Sequence, residues 1–222
     1  MIFLVDFDGT ITRGDTVDSL LEKFADPRWK RVEADWLAGR IGSRECLAEQ
    51  LALVTISAEE MHAFLEGIEI DPSFAEFHAA ASRIGIVAIV SDGIDCSVLH
   101  LMRAGVIPPM LFFANHVERA PSGLQISFPH QAPDCVVDSG VCKCAIARAL
   151  ALGHEGPTVL IGDGMSDKCV VREVDLIFAK DSLARYCEQE KIPYTSFKSF
   201  ADILPFIEAR ELIGRSACQA IS

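Results

Sequence analysis

Four apolar residues, Ile2-Phe3-Leu4-Val5, run directly into Asp6-Phe7-Asp8-Gly9-Thr10. So short a run, with no polar residue on either face, reads as a strand buried on both sides whose carboxyl end carries acids. The pattern returns twice: residues 86–90 are apolar and end at Ser91-Asp92-Gly93, and Thr158-Val159-Leu160-Ile161 ends at Gly162-Asp163. Helical periodicity lies between these runs, at about 72–84, 95–104 and 141–152, with Pro72 at a plausible first helical position. Further strands are expected at 111–114 and 176–178, and further helices near 181–190 and 199–210. Strands alternating with helices imply a parallel sheet, so the expected fold is α/β with a Rossmann-like core.

One block breaks the alternation. Residues 15–67 carry helical periodicity and almost no strand signal. Leu20, Leu21 and Phe24 share a face, as do Leu47, Leu51 and Val54, and Ser57-Ala58-Glu59-Glu60 reads as a helix start with a capping box. Pro27 and Gly39-Arg40-Ile41-Gly42 divide the block into three or four helices. The expected organisation is a core of residues 1–12 and 72–222 and an inserted all-helical cap of residues 13–71 after the first strand. Residues 115–139 form a hairpin or loop insertion, with a turn at Pro121-Ser122-Gly123.

The chain has 222 residues, 20 Lys and Arg against 32 Asp and Glu, and a net charge of −12. Nucleic acid and anionic membrane surfaces both require a surplus of cations, so neither is an expected partner. No apolar run approaches the roughly 20 residues of a spanning helix. Asp6 and Asp8 interrupt the first apolar run and no basic segment precedes it, so a cytoplasmic location is expected. Eight cysteines without regular spacing read as reduced thiols. Nothing in the sequence specifies an oligomeric state.

In open α/β sheets ligands bind outside the carboxyl ends of the strands. Asp6 with Asp8, Ser91 with Asp92, and Asp163 with Asp167 fall there, and Lys143 opens a helix between the second and third strands. Several carboxylates repel unless a cation sits among them. Hard oxygen donors favour Mg²⁺, which takes a few carboxylates together with water and substrate phosphate. An aspartate can accept a phosphoryl group, and a second acid two residues on lies on the same side of an extended chain, able to protonate a leaving oxygen. Lys143 and the amides of a helix start suit the phosphoryl oxygens.

In this order, Asp6-Phe7-Asp8-Gly9-Thr10-Ile11-Thr12, Ser91, Lys143 and Gly162-Asp163-Gly164-Met165-Ser166-Asp167 resemble the four motifs of the haloacid dehalogenase superfamily. The resemblance spans the chain, with the helical insert at the position of that superfamily's first cap type. It implies Asp6 as nucleophile and Asp8 as acid and then base. It also implies Mg²⁺ on the Asp6 carboxylate, the Asp8 carbonyl and Asp163, with Asp167 acting through water or from the second shell. Ser91, the Gly93 amide, Lys143 and Thr10 are the implied phosphate-binding groups. The presence of Asp8 favours phosphoryl over carbon–halogen chemistry, and a small-molecule phosphomonoester is the expected substrate. A phosphosugar mutase or a non-catalytic phosphate-binding regulator is the alternative of another class. Nothing marks a second phosphate site, however, and no motif acid is missing.

Two subfamilies compete. Phosphoserine phosphatases place a Glu after the first motif and an Arg in a cap helix, where this chain has Asp15 and Gln50, and a neutral amide does not replace a bidentate guanidinium. The methionine-salvage phosphatases acting on 2-hydroxy-3-keto-5-methylthiopentenyl-1-phosphate are similar at Asp15, Phe24-Ala25, Pro27, Trp29, Asn115-His116, Pro129-His130, Cys142-Lys143 and Phe178-Ala179, and are preferred. One departure is Asp92, where their second motif usually has Gly; its carboxylate either meets a substrate hydroxyl or points to solvent. Asp15, Phe24, Trp29, Gln50 and Asp92 are therefore the candidate specificity residues, although helix-face packing within the cap is the favoured reading of Phe24 and Trp29 over pocket lining. His116, His130, Cys135, Cys142 and Cys144 form a local cluster whose spacing matches no standard zinc site.

Overall fold

The computed structural model describes residues 1–120 and 123–210. Its seven-stranded sheet contains β1 (Ile2–Val5), β2 (Ile86–Ile94), β3 (Leu111–Ala120), β4 (Gly123–Ser127), β5 (Thr158–Gly162), β6 (Leu176–Ala179) and β7 (Thr195–Ser196) in the order β4-β3-β2-β1-β5-β6-β7. All neighbours are parallel except β3 and β4. The fold is thus the α/β class expected, with the fully buried first strand at its centre.

Register brings the strand ends together. Val5 pairs with Ile89 on one side and Ile161 on the other, so Asp6, Ser91 and Asp163 lie within one or two residues of the same level. The Asp6 N–H donates to the Ile161 carbonyl at 2.9 Å, extending the ladder to the acid itself.

Side-chain alternation splits the core into two layers. Phe3, Val5, Ile89, Val159 and Ile161 face α5 (Phe74–Ala81), α6 (Asp95–Arg103) and the helical residues 204–210. Phe77 packs edge-on against Phe3 at 5.9 Å. Ile2, Leu4, Ala88, Val90 and Leu160 face α7 (Lys143–Ala151) and α8 (Asp181–Glu190). Burial on both sheet faces explains why these strands read as continuous apolar runs.

Between β1 and α5 lie α1 (Thr16–Phe24), α2 (Trp29–Leu37), α3 (Ser43–Ala52) and α4 (Ala58–Glu66). Val17, Leu20, Leu21, Trp29, Leu51, Val54, Ile56, Phe64 and Leu65 make a separate apolar cluster, joined by Ile94 of β2 and Leu124 of β4. The helix α4 starts with the capping box read from the sequence, Ser57 and Glu60 each bonding the other's backbone N–H.

Some boundaries differ from expectation. The helix α5 starts at Phe74 rather than Pro72, because Asp71 Oδ1 takes both the N–H and the hydroxyl of Ser73 and makes a turn first. The strand β3 continues to Ala120 because its second half pairs with β4, and that hairpin packs on the helical cluster. The strand β7 was not expected, being two exposed polar residues at the sheet edge. The Pro121-Ser122 part of the expected turn and the Gly214-Arg215-Ser216-Ala217-Cys218 tail lie outside the described residues. Among the described residues no helix is long and apolar enough to cross a membrane.

Candidate active site

Three carboxylates and one ammonium meet at the strand ends. Lys143, 2% exposed at the first turn of α7, donates from Nζ to Asp6 Oδ1 and to Asp167 Oδ1, each at 2.6 Å. Its third contact is Ser166 Oγ at 3.2 Å. Asp6, Asp163 and Asp167 each offer an oxygen within 4.8 Å of the others. Leu4, Val90, Leu160 and Val170 form an apolar floor beneath Asp6 and Lys143.

Burial in that floor raises the Asp6 carboxyl to about 6; Lys143 opposes the shift and Asp163 adds to it. Asp167 is likewise raised to about 6 by burial, against the pull of Lys143. Burial works against the Lys143 charge, but Asp167 and Asp6 outweigh it, so the ammonium is held well above its ordinary range. Burial also raises Asp163, against a hydrogen bond from Thr10 Oγ1 at 2.7 Å. Three carboxylates against one ammonium leave two negative charges in excess. A single divalent cation balances that excess, and an all-oxygen donor set is the kind that Mg²⁺ takes. The residues fit the ion.

Asp8 lies two residues beyond Asp6 and takes a different set of partners. Its Oδ1 accepts the N–H of Thr16 at 2.9 Å and the Thr16 hydroxyl at 2.6 Å, while Ser91 Oγ stands 3.4 Å from Oδ2. Burial, and then the charge of Asp15, raise the Asp8 carboxyl to about 8 in spite of the Thr16 bonds. A carboxyl so raised holds a proton near neutrality, as a general acid must. Gly9, at φ +71°, and Gly93 each sit where a Cβ would collide with a site carboxylate, that of Asp163 and that of Asp8 respectively.

The remaining sequence candidates divide. Ser91 is buried beside Asp8, and its oxygen accepts the Gly93 N–H at 2.9 Å. Thr10, read as a phosphate-binding group, instead gives its hydroxyl to Asp163. Asp15 is exposed and caps α1 through the Asp18 N–H at 2.9 Å. Phe24 packs edge-on against Phe64 at 6.1 Å, and Trp29 is buried in the same cluster, so both join the packing of the helical cluster. Gln50 is buried in α3 and donates to Glu33 Oε2 at 2.7 Å. Asp92 is half-buried, and its Oδ1 accepts the Val141 N–H at 3.0 Å.

The histidines and cysteines gather no ligand group of three or more among the described residues. His116 bonds Asp95 and Glu118, and His130 packs edge-on against Phe113. Asp6, Asp163 and Asp167 are the one group of three or more potential ligand side chains gathered among the described residues. Thr16 and Ser166 went unnoticed as site residues. Thr16 follows the helix-capping Asp15, and a hydroxyl at a helix start normally signals a cap rather than a partner for a distant acid.

Three buried acids and a lysine gathered at the carboxyl end of a parallel sheet are the equipment of a hydrolase of the phosphatase class. Residues 3–172 match the haloacid dehalogenase-like hydrolase family, and the chain belongs to it. It is 32% identical over 217 residues to 2-hydroxy-3-keto-5-methylthiopentenyl-1-phosphate phosphatase of Geobacillus kaustophilus (strain HTA426), across 96% of this chain and 98% of the relative. A protein of the same name from Bacillus cereus (strain B4264) is 30% identical over 202 residues, across 89% of this chain and 91% of the relative. Among solved structures, a phospho-aspartyl intermediate analogue of phosphoserine phosphatase superposes with a TM-score of 0.68 at 19% identity, over 92% of this chain and 97% of that one. A haloacid dehalogenase family hydrolase of Salmonella enterica serovar Typhi superposes with a TM-score of 0.72 at 17% identity, over 93% of this chain and 70% of that one. These two likenesses show the fold alone.

Proposed function

We propose that this phosphatase is a Mg²⁺-dependent phosphomonoesterase working through an aspartyl-phosphate on Asp6, with 2-hydroxy-3-keto-5-methylthiopentenyl-1-phosphate as its substrate. The observation that carries the chemistry is the Asp6 carboxylate, held at 2.6 Å by Lys143 at the common strand end, with Asp8 on its own hydrogen bonds two residues on. The substrate rests on the names of relatives about 30% identical over nearly the whole chain.

Asp6 attacks phosphorus as the ester P–O bond breaks, and Asp8 gives its proton to the leaving oxygen. Asp8, now a carboxylate, takes a proton from the water that attacks phosphorus in turn; as the new P–O bond forms, the bond between Asp6 Oδ and phosphorus breaks, which frees inorganic phosphate and restores the Asp6 carboxylate. Lys143, the Ser91 hydroxyl and the Gly93 N–H hold the phosphoryl oxygens, and the backbone at Gly93 approaches closely because it carries no side chain. Asp6, Asp163 and the Asp8 carbonyl would hold Mg²⁺, with Asp167 tied to Lys143 behind them; the ion supplies positive charge against the phosphoryl oxygens.

Residues 13–71 act as the cap over residues 1–12 and 72–222 in this reading. Supporting the division, α1 to α4 carry their own apolar cluster and touch the core through Ile94 and Leu124. The deciding experiment compares kcat/KM for the methylthio enol phosphate, or a stable analogue, with that for phosphoserine on one preparation. A preference for phosphoserine overturns the substrate. Absence of turnover on any phosphomonoester, p-nitrophenyl phosphate included, overturns the mechanism.

A further inference from the structure

Asp92 ties together three segments that the reaction needs in register. It follows Ser91 at the end of β2. Its backbone carbonyl accepts Asn115 Nδ2 at 2.6 Å, and its Oδ1 accepts the Val141 N–H at 3.0 Å. Asn115, on β3, is fully buried, and Gly140 lies so close that a Cβ there would collide with the Asn115 side chain. Val141 is also fully buried and stands two residues before Lys143. The intervening Cys142 is fixed by its N–H on the His130 carbonyl at 3.0 Å and begins α7 without any side-chain cap. The Asp92 carboxylate thus bonds the loop that delivers Lys143, and it comes from the segment that delivers Ser91 and Gly93.

We propose that Asp92 is a positioning residue that fixes the spacing between the Lys143 ammonium and the Ser91–Gly93 segment, so that both reach one phosphoryl group. It acts through Val141 and touches no substrate atom. Without the acceptor, a buried N–H loses its partner, and residues 139–142 keep no side-chain tie to the β2 end. The proposal rests on Lys143 as a phosphoryl-binding group, and the controls separate the two claims.

Steady-state kinetics with p-nitrophenyl phosphate and inhibition by orthovanadate, both at saturating Mg²⁺, would be measured for the parent, Asp92→Gly, Asp92→Asn and Lys143→Ala. Lys143→Ala should lose about a hundredfold or more in kcat/KM, the scale of one transition-state donor. Asp92→Gly should lose about tenfold, with orthovanadate weakened by the same factor. Asp92→Asn keeps an acceptor oxygen and should stay within about threefold of the parent on both readouts. Lys143→Ala at parental activity would remove the reading of the site. An inactive Lys143→Ala beside a folded Asp92→Gly with parental kinetics and inhibition overturns the positioning role alone. So does a lowered melting temperature in Asp92→Gly with orthovanadate affinity unchanged, since that marks a purely structural bond. If Asp92→Gly does not fold, Asp92→Asn decides: a folded protein that loses more than about threefold overturns the role, because its amide oxygen accepts as the carboxylate does.

Discussion

Asp8 Oδ1 accepts both the backbone N–H and the hydroxyl of Thr16, at 2.9 and 2.6 Å, so the strand-end acid is bonded directly to the first turn of α1. Each bond favours the carboxylate form against the burial that raises it. The position of α1 therefore bears on how firmly Asp8 holds its proton. Thr16→Val removes the hydroxyl and keeps the N–H, and should lower kcat about tenfold, within the range assigned to proton transfer. Thr16→Ser should stay close to the parent. Equal activity in Thr16→Val and the parent, measured on p-nitrophenyl phosphate, would disconnect the bond from the chemistry.

Asp6→Asn should abolish turnover while the fold survives, because a neutral amide does not attack phosphorus. Asp8→Asn should lose about a hundred- to ten-thousandfold, the usual contribution of a positioned acid and base. Far-UV circular dichroism and thermal melting establish that the variants fold. Asp6→Asn turning over within tenfold of the parent would exclude it as the nucleophile.

Two uncompensated negative charges among Asp6, Asp163, Asp167 and Lys143 call for a divalent cation. Exhaustive chelation should remove activity and Mg²⁺ should restore it. Beryllofluoride with Mg²⁺, a mimic of the phosphorylated Asp6, should raise the melting temperature by mass action, and should fail to do so in Asp6→Asn. Full activity after chelation contradicts the metal requirement.

The parallel core was legible because burial on both faces leaves short apolar runs: residues 2–5 and 159–161 are apolar without alternation, and an acid follows within two residues. The helical cluster was legible from spacing and from the Ser57–Glu60 capping box. The partners of polar side chains were not. Asp92 reads as either substrate-facing or exposed, and its bond to Val141 left no trace in the sequence, because Val141 lies 49 residues away and an N–H donor leaves no mark on composition. Thr10 goes to Asp163 across 153 residues for the same reason. The hairpin ran longer than its apolar residues suggested, since Glu118 and Arg119 pair through backbone bonds while their side chains face water.

Asp175 supplies a test of stability away from the site. Its Oδ2 accepts the N–H and the hydroxyl of Thr158, each at 2.8 Å, where β5 begins. The backbone bond, and then the hydroxyl, hold this carboxyl below its ordinary value of 3.8. The folded protein therefore binds the proton less tightly than the unfolded chain. The stabilisation is complete above that ordinary value and fades as pH falls through the folded one. Urea unfolding of the parent and Asp175→Asn should differ at pH about 7 and converge as pH is lowered from about 5 to about 3. A gap that stays constant over that range would assign the effect to something other than ionisation.

Gln50 carries the sharpest contrast between the two substrates. It is buried in α3, with its amide donating to Glu33 Oε2 at 2.7 Å, and Asp15, Glu22 and Glu33 all add negative charge around Asp18, whose carboxyl burial raises to about 6. The α-carboxylate of phosphoserine would meet this acidic surface without a guanidinium to receive it, whereas an uncharged methylthio tail meets no such penalty. Simple replacement by arginine is not expected to convert the enzyme, because the new guanidinium would pair first with Glu33. Gln50→Arg should therefore raise kcat/KM for phosphoserine by less than about threefold. The double variant Glu33→Gln with Gln50→Arg leaves the guanidinium free and should raise it by about tenfold or more, the scale of one charged hydrogen bond. Both variants should act on p-nitrophenyl phosphate at rates near the parent's, since neither residue touches Asp6 or Lys143. A tenfold gain from Gln50→Arg alone would mean that Glu33 does not compete for position 50. A parent enzyme that already prefers phosphoserine over the methylthio enol phosphate would mean that the acidic surface does not select the substrate at all.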